Sequence, residues 1–286
     1  MMQITTSSAS RLVIVGGGFW ASITALYISK LEPGREILLL GEDRSFGGNT
    51  ILPVCAAGLQ PGHRRILDPL IVKEWKRFSF SCDASSGWVD GRLCLLAAEQ
   101  LHLEIVEQLR GHQYRLNTAI RELSSTCVIL RSGEVIEGTE IIDMRTKPRS
   151  SGNSEMPLQL ITRDYQIDEV HDLSGPDFQV RTDSSGGIRD FTLTLPLAPN
   201  MVRVNSICPF VEGPISLSTG SAPVIANGRM IAESSELVPA IPVPQHYGHL
   251  RSVRPDHTLR GMLGGYVMDV MTHAETLCRR RDQSVA

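Results

Sequence analysis

The stretch Arg11-Leu12-Val13-Ile14-Val15-Gly16-Gly17-Gly18-Phe19-Trp20-Ala21 decides how this chain folds. A short apolar run, Leu12 to Val15, stops at three glycines, and an apolar segment without proline continues from Phe19 to Lys30. That order is strand, tight turn, helix. Gly16-x-Gly18-x-x-Ala21 has the spacing of the dinucleotide fingerprint, which ends in glycine or alanine. Gly16 allows the sharp turn, with Gly17 next in it. Gly18 lets main chain come close to a diphosphate, and Ala21 lets the helix pack tightly on the strand. The helix N-terminus then offers unpaired N–H groups and partial positive charge to the phosphates. A glycine turn that serves packing alone can have the same letters; the strand before it and the helix after it favour the nucleotide.

Outward from this stretch, the turn Glu32-Pro33-Gly34 leads into Glu36-Ile37-Leu38-Leu39-Leu40, a continuous apolar run of the kind found in buried parallel strands. A βαβ unit is complete by Leu40. Residues Gly41 to Asn49 then read G-E-D-R-S-F-G-G-N. The pair Gly47-Gly48 makes this either a loop whose backbone approaches a ligand or a plain turn, and spacing alone does not choose.

Further along, Leu96 to Arg110 reads as an amphipathic helix, with Leu101, Ile105 and Leu109 on one face and Gly111 as C-cap. Cys127–Leu130 and Glu134–Glu137 flank a turn and suggest a hairpin, and Glu140–Asp143 a further short strand. Lys147 to Ser154 is rich in Pro, Ser, Gly and Asn and reads as a linker. Phe191–Leu195 alternates as a half-buried strand, with Met201–Ser206 as its partner across Pro196–Asn200. Pro209 to Asn227 is loop-like. A closing helix begins after Gly264-Gly265, with Val267, Val270, Met271, Ala274 and Leu277 on one face.

Composition narrows the function classes. The chain has 286 residues, 42% hydrophobic and 21% charged, enough for one large domain or two interleaved ones. The net charge of −3 and the lack of a large basic block disfavour nucleic acid as a partner. Arg279-Arg280-Arg281 instead suits the C-terminal end of a helix. The six cysteines, Cys55, Cys82, Cys94, Cys127, Cys208 and Cys278, form no C-x-x-C pair and no zinc spacing. Reduced thiols in a cytoplasmic protein with no metal site are expected. Leu12–Ser29 is long and uncharged, but its central glycines suit a strand and helix rather than a membrane span, and no basic region precedes it as in a secretory signal.

Four places carry a resemblance to a known family, the flavin-dependent lycopene cyclases of carotenoid synthesis. They are L-V-I-V-G-G-G at 12–18, I-L-L-L followed by G-G-N at 37–49, the region from V-K-E-W at 72–75 to S-G-E-V-I-E-G-T-E-I-I-D at 132–143, and the closing G-G-Y at 264–266. The similarity is specific before about residue 145 and weak after it. The chain is also shorter than the usual member, mainly after Glu212.

The resemblance implies an α/β fold: a Rossmann-like FAD-binding domain of the glutathione-reductase-like flavoprotein type, with an inserted smaller β-rich substrate domain. The FAD-binding domain is expected over 1–148 and 255–286, and the substrate portion over 149–254. FAD would lie against Gly16, Gly17, Gly18, Ala21, Glu42, Gly47, Gly48, Asn49, Gly264 and Gly265, with NAD(P)H as a candidate reductant of the flavin. The family's reaction is ring closure of a hydrophobic isoprenoid, started by protonation from a carboxylic acid and without net redox change. An FAD-dependent oxidoreductase, either a monooxygenase or an isoprenoid reductase, is the alternative, as is a non-catalytic flavin-binding or degenerate relative. A substrate drawn from lipid makes peripheral membrane contact compatible with a cytoplasmic protein. The stretch Pro69–Phe78 suits such contact or, more readily, core packing.

The departures from the family are as specific. The acid that holds the ribose directly after the second strand is Gly41 here, and the nearest acid, Glu42, comes one residue late; on a strand that reverses the side chain's face, whereas a loop can absorb the shift. The I-D-G-R-G close becomes Ile142-Asp143-Met144-Arg145-Thr146. The proposed proton-carrying acid of the family aligns with Asn205, which has no titratable proton. A slip in that alignment would bring Asp183, Asp190 or Glu212 to the place, so the catalytic residue stays open.

Overall fold

The computed structural model describes residues 11–48, 51–56, 59, 61–82, 85–145, 158–168, 175–182, 188–209, 228–237 and 245–246. In chain order its elements are β1 (Leu12–Val15), α1 (Phe19–Leu31), β2 (Ile37–Leu40), β3 (Ile51–Cys55), α2 (Pro61–Leu67), β4 (Ile71–Cys82), β5 (Ser85–Ala97), α3 (Ala98–Gln108), β6 (Tyr114–Arg115) and β7 (Ile120–Leu123). There follow β8 (Cys127–Leu130), β9 (Val135–Glu137), β10 (Glu140–Asp143), β11 (Leu158–Ile167), β12 (Asp177–Thr182), β13 (Ile188–Ala198), β14 (Met201–Pro209), β15 (Gly228–Leu237) and β16 (Gln245–His246). The chain divides into two compact units, one over 1–72, 94–147 and 240–286, the other over 73–93 and 148–239.

The first unit is built on a sheet of order β16-β10-β1-β2-β6. Here β10, β1, β2 and β6 run parallel, and β16 pairs antiparallel with β10. All side chains of β1 and β2 are buried, which is why both runs are apolar without alternation. Leu12, Ile14, Ile37 and Leu39 face a cluster with α1, α3, Val54 of β3 and Leu67 of α2. Val13, Val15, Leu38 and Leu40 face the antiparallel sheet β7-β8-β9, through Ile120, Val128, Leu130 and Ile136. The parallel sheet is thus the middle of three layers. Helix α1 buries Phe19 and every residue from Ala21 to Ile28, so its sequence is apolar nearly all round rather than striped. The result is the Rossmann-like α/β fold expected from the opening residues.

Two local expectations need correction. The segment from Leu93 to Ala97 belongs to β5, and α3 begins at Ala98. The chain leaves α3 through Leu109, whose backbone is extended and whose N–H donates to Ile105 O. With that exit no left-handed residue is needed, and Gly111 is not the cap.

The second unit carries a sheet of order β15-β11-β14-β13-β12-β4-β5. The hairpin β13–β14 joins the two segments expected to pair, with Leu193 opposite Asn205 and Thr194 opposite Val204. Its packing includes Phe178 against Phe78, ring centroids 5.1 Å apart in an edge arrangement, with Leu193 and Leu195 buried. Residues 73–93 had been expected in the first unit. They belong to the second because β4 pairs in parallel with β12, Ser79 opposite Asp177 and Phe80 opposite Phe178. In the other direction, residues 245–246 lie in the first unit through the β10–β16 pairing. Within Pro69–Phe78, Leu70, Trp75 and Phe78 are buried and Val72 is exposed. Among the described residues no helix is long and apolar enough to cross a membrane. The linker at 147–154 and the closing helix lie outside the described residues.

Candidate glycine-loop site

The site begins where β1 ends. Gly16 has φ +135°, and a Cβ on it would stand 2.9 Å from the main-chain oxygen of Met144, so the turn admits only glycine at that point. Met144 is held there by its own N–H, which donates to Val15 O at 2.7 Å. A Cβ on Gly17 would stand 3.0 Å from Cα of Gly41, at the end of β2. Gly18 differs from both: it is exposed, and a Cβ on it would meet nothing within 4 Å.

Gly18 is also the N-cap of α1, with φ −69° and ψ 174° and no side-chain cap hydrogen bond. Its carbonyl accepts the N–H of Ser22, closing the first turn. The N–H groups of that turn therefore have no side-chain acceptor at the cap, and no acidic residue lies among them. Ala21 is fully buried, the small residue the fingerprint places between helix and strand.

The second glycine pair is brought to the first. The N–H of Gly47 donates to Gly17 O at 2.7 Å, and Gly18 and Gly47 form an isolated parallel bridge. Gly47 has φ +84°, and its Cβ would stand 3.0–3.1 Å from Ala98 at the start of α3. Gly48 has φ +65°, is exposed, and has open space where a Cβ would be. The loop is anchored by Phe46, fully buried, edge-on to Tyr114 at 5.7 Å and with its N–H donating to His102 Nδ1 at 3.3 Å. The structure therefore brings Gly47 and Gly48 to the turn at 16–18. Bare main chain, an uncapped helix N-terminus and two open glycines form a surface suited to a diphosphate.

The acidic positions behave differently. Gly41 is buried, and a Cβ there would lie 3.2–3.3 Å from Phe46 Cε1, Gly17 Cα and Leu116 Cδ2. The Glu42 carboxylate accepts the N–H of Ile120 at 3.1 Å. Beside the cradle, Asp143 is buried and its carboxylate is gripped by Arg145, Oδ1 from Nε at 2.9 Å and Oδ2 from Nη2 at 3.0 Å. Sequence reasoning had noted both residues only as part of a pattern without glycines. Met144 between them forms the floor under Gly16. Asn49, Gly264 and Gly265 lie outside the described residues.

In the second unit Asn205 sits on β14, opposite Thr162 of β11 and Leu193 of β13. Its Oδ1 is buried and accepts no hydrogen bond. Asp190 is a β13 position opposite Arg181, and Asp183 and Glu212 lie outside the described residues. At the β13–β14 turn, Lys73 donates from Nζ to Pro196 O at 2.5 Å and Leu197 O at 2.7 Å, and burial lowers its pKa from 10.5.

No family model matches the chain. Lycopene beta-cyclase of Pantoea ananas is 26% identical to it over 195 residues, which are 68% of this chain and 50% of that protein. Lycopene beta-cyclase of Pseudescherichia vulneris is 23% identical over 193 residues, again 68% of this chain and 50% of the relative. The chain is similar, at a divergent level, to lycopene beta-cyclases. It spans about half the length of the curated relatives it matches. Among solved structures, this lycopene-cyclase-like chain is similar to a geranylgeranyl bacteriochlorophyll reductase-like protein from Thermoplasma acidophilum, with TM-score 0.65, 13% identity, and coverage of 96% of this chain and 79% of that one. It is equally similar to p-nitrophenol 4-monooxygenase from Pseudomonas putida DLL-E4, with TM-score 0.65, 15% identity and coverage of 96% and 81%. At these identities the likeness is one of fold.

Proposed function

We propose that this chain is a flavoprotein that binds FAD and acts on a hydrophobic isoprenoid, cyclising a carotenoid or other polyprenyl chain with no net redox change. The single observation that carries the cofactor is the open Gly18 at the uncapped start of α1, tied through Gly17 and Gly47 to a second open glycine, Gly48. In this reading the first-turn N–H groups of α1 orient the diphosphate, and the Gly47-Gly48 backbone lines its other side. Met144 and the Asp143–Arg145 pair keep the turn in shape. A bound flavin, in its reduced form, would supply an electron-rich ring that favours positive charge beside it. The substrate class rests on the likeness to lycopene beta-cyclases over 68% of the chain.

A second reading has its own observation. In the alignment that the resemblance suggests, Asn205 stands at the family's proton carrier unless a slip brings Asp183, Asp190 or Glu212 there, and an amide cannot deliver a proton. That favours an FAD-dependent oxidoreductase, with NAD(P)H as reductant, or a relative that binds flavin without catalysis. Peripheral membrane contact goes with an isoprenoid substrate under either enzymatic reading.

The test is expression in a lycopene-accumulating host, with flavin content measured on the purified protein. Cyclic product from a yellow protein supports the cyclase. A flavin-loaded protein that leaves lycopene unchanged rules it out, and NAD(P)H oxidation by the same preparation then identifies the oxidoreductase. A colourless protein that takes up no added FAD removes the flavin reading.

A further inference from the structure

On the reading that the glycine cradle holds FAD, we infer that neither residue at the end of β2, Gly41 or Glu42, puts a carboxylate on the adenosine ribose, so that the 2′-hydroxyl gains no carboxylate hydrogen bond there. Rossmann-type sites ordinarily place an Asp or Glu on that hydroxyl about twenty residues past the glycines. Two residues of this chain stand at the end of β2 where the acid is needed, and the placement of each turns it from that role.

Gly41 continues the face of β2 carried by Leu39, the face toward α1. A Cβ built there meets Phe46, Leu116 and Gly17, and Phe46 and Leu116 belong to the same cluster as Leu39. That space is filled by core atoms and by the backbone of the glycine turn. Both main-chain groups of Gly41 are also engaged: its N–H donates to Arg115 O and its carbonyl accepts from Thr118, each at 2.9 Å.

Glu42 continues the opposite face, the one carried by Leu38 and Leu40 toward the β7-β8-β9 sheet. Its carboxylate accepts the N–H of Ile120, a buried member of that cluster, at 3.1 Å. The cradle opens at α1, on the other face. Glu42 lies in the bend past β2, and it is its hydrogen bond to Ile120 that holds its carboxylate toward the β7-β8-β9 sheet. Asp43 follows one residue further on, exposed in a bend, and the variant below tests it directly.

The experiment titrates the flavin-free full chain with FAD and with its analogue built on 2′-deoxyadenosine, read by flavin fluorescence. Dissociation constants within about twofold of each other are expected. A carboxylate–hydroxyl hydrogen bond is worth tenfold or more in affinity, so a deoxy analogue that binds ten times more weakly overturns the inference. Glu42→Gln retains an oxygen acceptor for Ile120 and therefore the fold. That variant and Asp43→Asn are both expected to keep the parent's FAD affinity within twofold, and a tenfold loss in either identifies the missing ribose acid. If neither nucleotide binds, the flavin reading fails and this inference with it. If both bind but differ, only this inference fails.

Discussion

Replacing Gly18 by valine separates binding from folding, because the structure assigns them to different atoms. Around the Cβ position of Gly18 nothing lies within 4 Å, and φ −69° with ψ 174° is extended backbone that valine adopts readily. The folded chain therefore tolerates the side chain. Losing a glycine also restricts the unfolded chain, which by itself stabilises by about 0.4–1 kcal/mol. The bound state has no such tolerance. A branched side chain over the uncapped turn holds a diphosphate away from the helix N–H groups. Two charge-assisted hydrogen bonds at about 1.5–3 kcal/mol each are lost, about 3–6 kcal/mol together. At 1.4 kcal/mol per factor of ten, FAD affinity falls by roughly a hundredfold to ten-thousandfold. The assay is flavin titration of the apo protein with thermal unfolding of the same samples, and Gly16→Ala is its counterpart. That substitution puts a Cβ 2.9 Å from Met144 O at φ +135°, and is expected to cost about 2–4 kcal/mol of stability. A Gly18→Val protein as yellow as the parent, or one that unfolds as early as Gly16→Ala, refutes the assignment.

Other consequences can be checked separately. Gly47→Ala forces a Cβ to within 3.0–3.1 Å of Ala98 at φ +84° and is expected to lower stability by about 2–4 kcal/mol in denaturant melts. Ala98→Gly should restore only part of that, since Cα and the carbonyl of residue 98 stay in place. Phe178→Ala removes a fully buried ring stacked edge-on to Phe78 and should cost about 3–5 kcal/mol, read as unfolding of the second unit. Arg35, buried with its guanidinium on Glu140 and Glu32, should cost about 2–4 kcal/mol when replaced by methionine, because both of its ion pairs are removed. Lys73 binds its proton less tightly folded than unfolded, so its contribution to stability rises with pH from the lowered folded pKa up to the unfolded 10.5. Lys73→Met should flatten the pH dependence of the melting temperature in that window; an unchanged slope means another group titrates there.

The parts of this protein legible from residues alone are those in which neighbours in sequence are neighbours in space. Leu12–Val15, the glycine turn and the apolar run from Phe19 specify strand, turn and helix, because chain connectivity and local sterics act within a dozen residues. The hairpin at Gly133 and the β13–β14 pair are legible for the same reason. The late position of Glu42 is legible too, but its acceptor role toward Ile120, 78 residues away, is not.

Tertiary structure alone decided the rest. Nothing local to Ser79–Cys82 announces that β4 will lie beside β12, nearly a hundred residues later, and that pairing moves 73–93 into the second unit. Nothing local to Gly47 announces its hydrogen bond to Gly17, or the contact with Ala98 that leaves room for no side chain. Such contacts depend on which surfaces are left to bury once the local elements have formed, a quantity set by the whole chain and written in no single window of it. The opening residues name a nucleotide fold; the cradle that gives it a purpose exists only where three distant backbones meet.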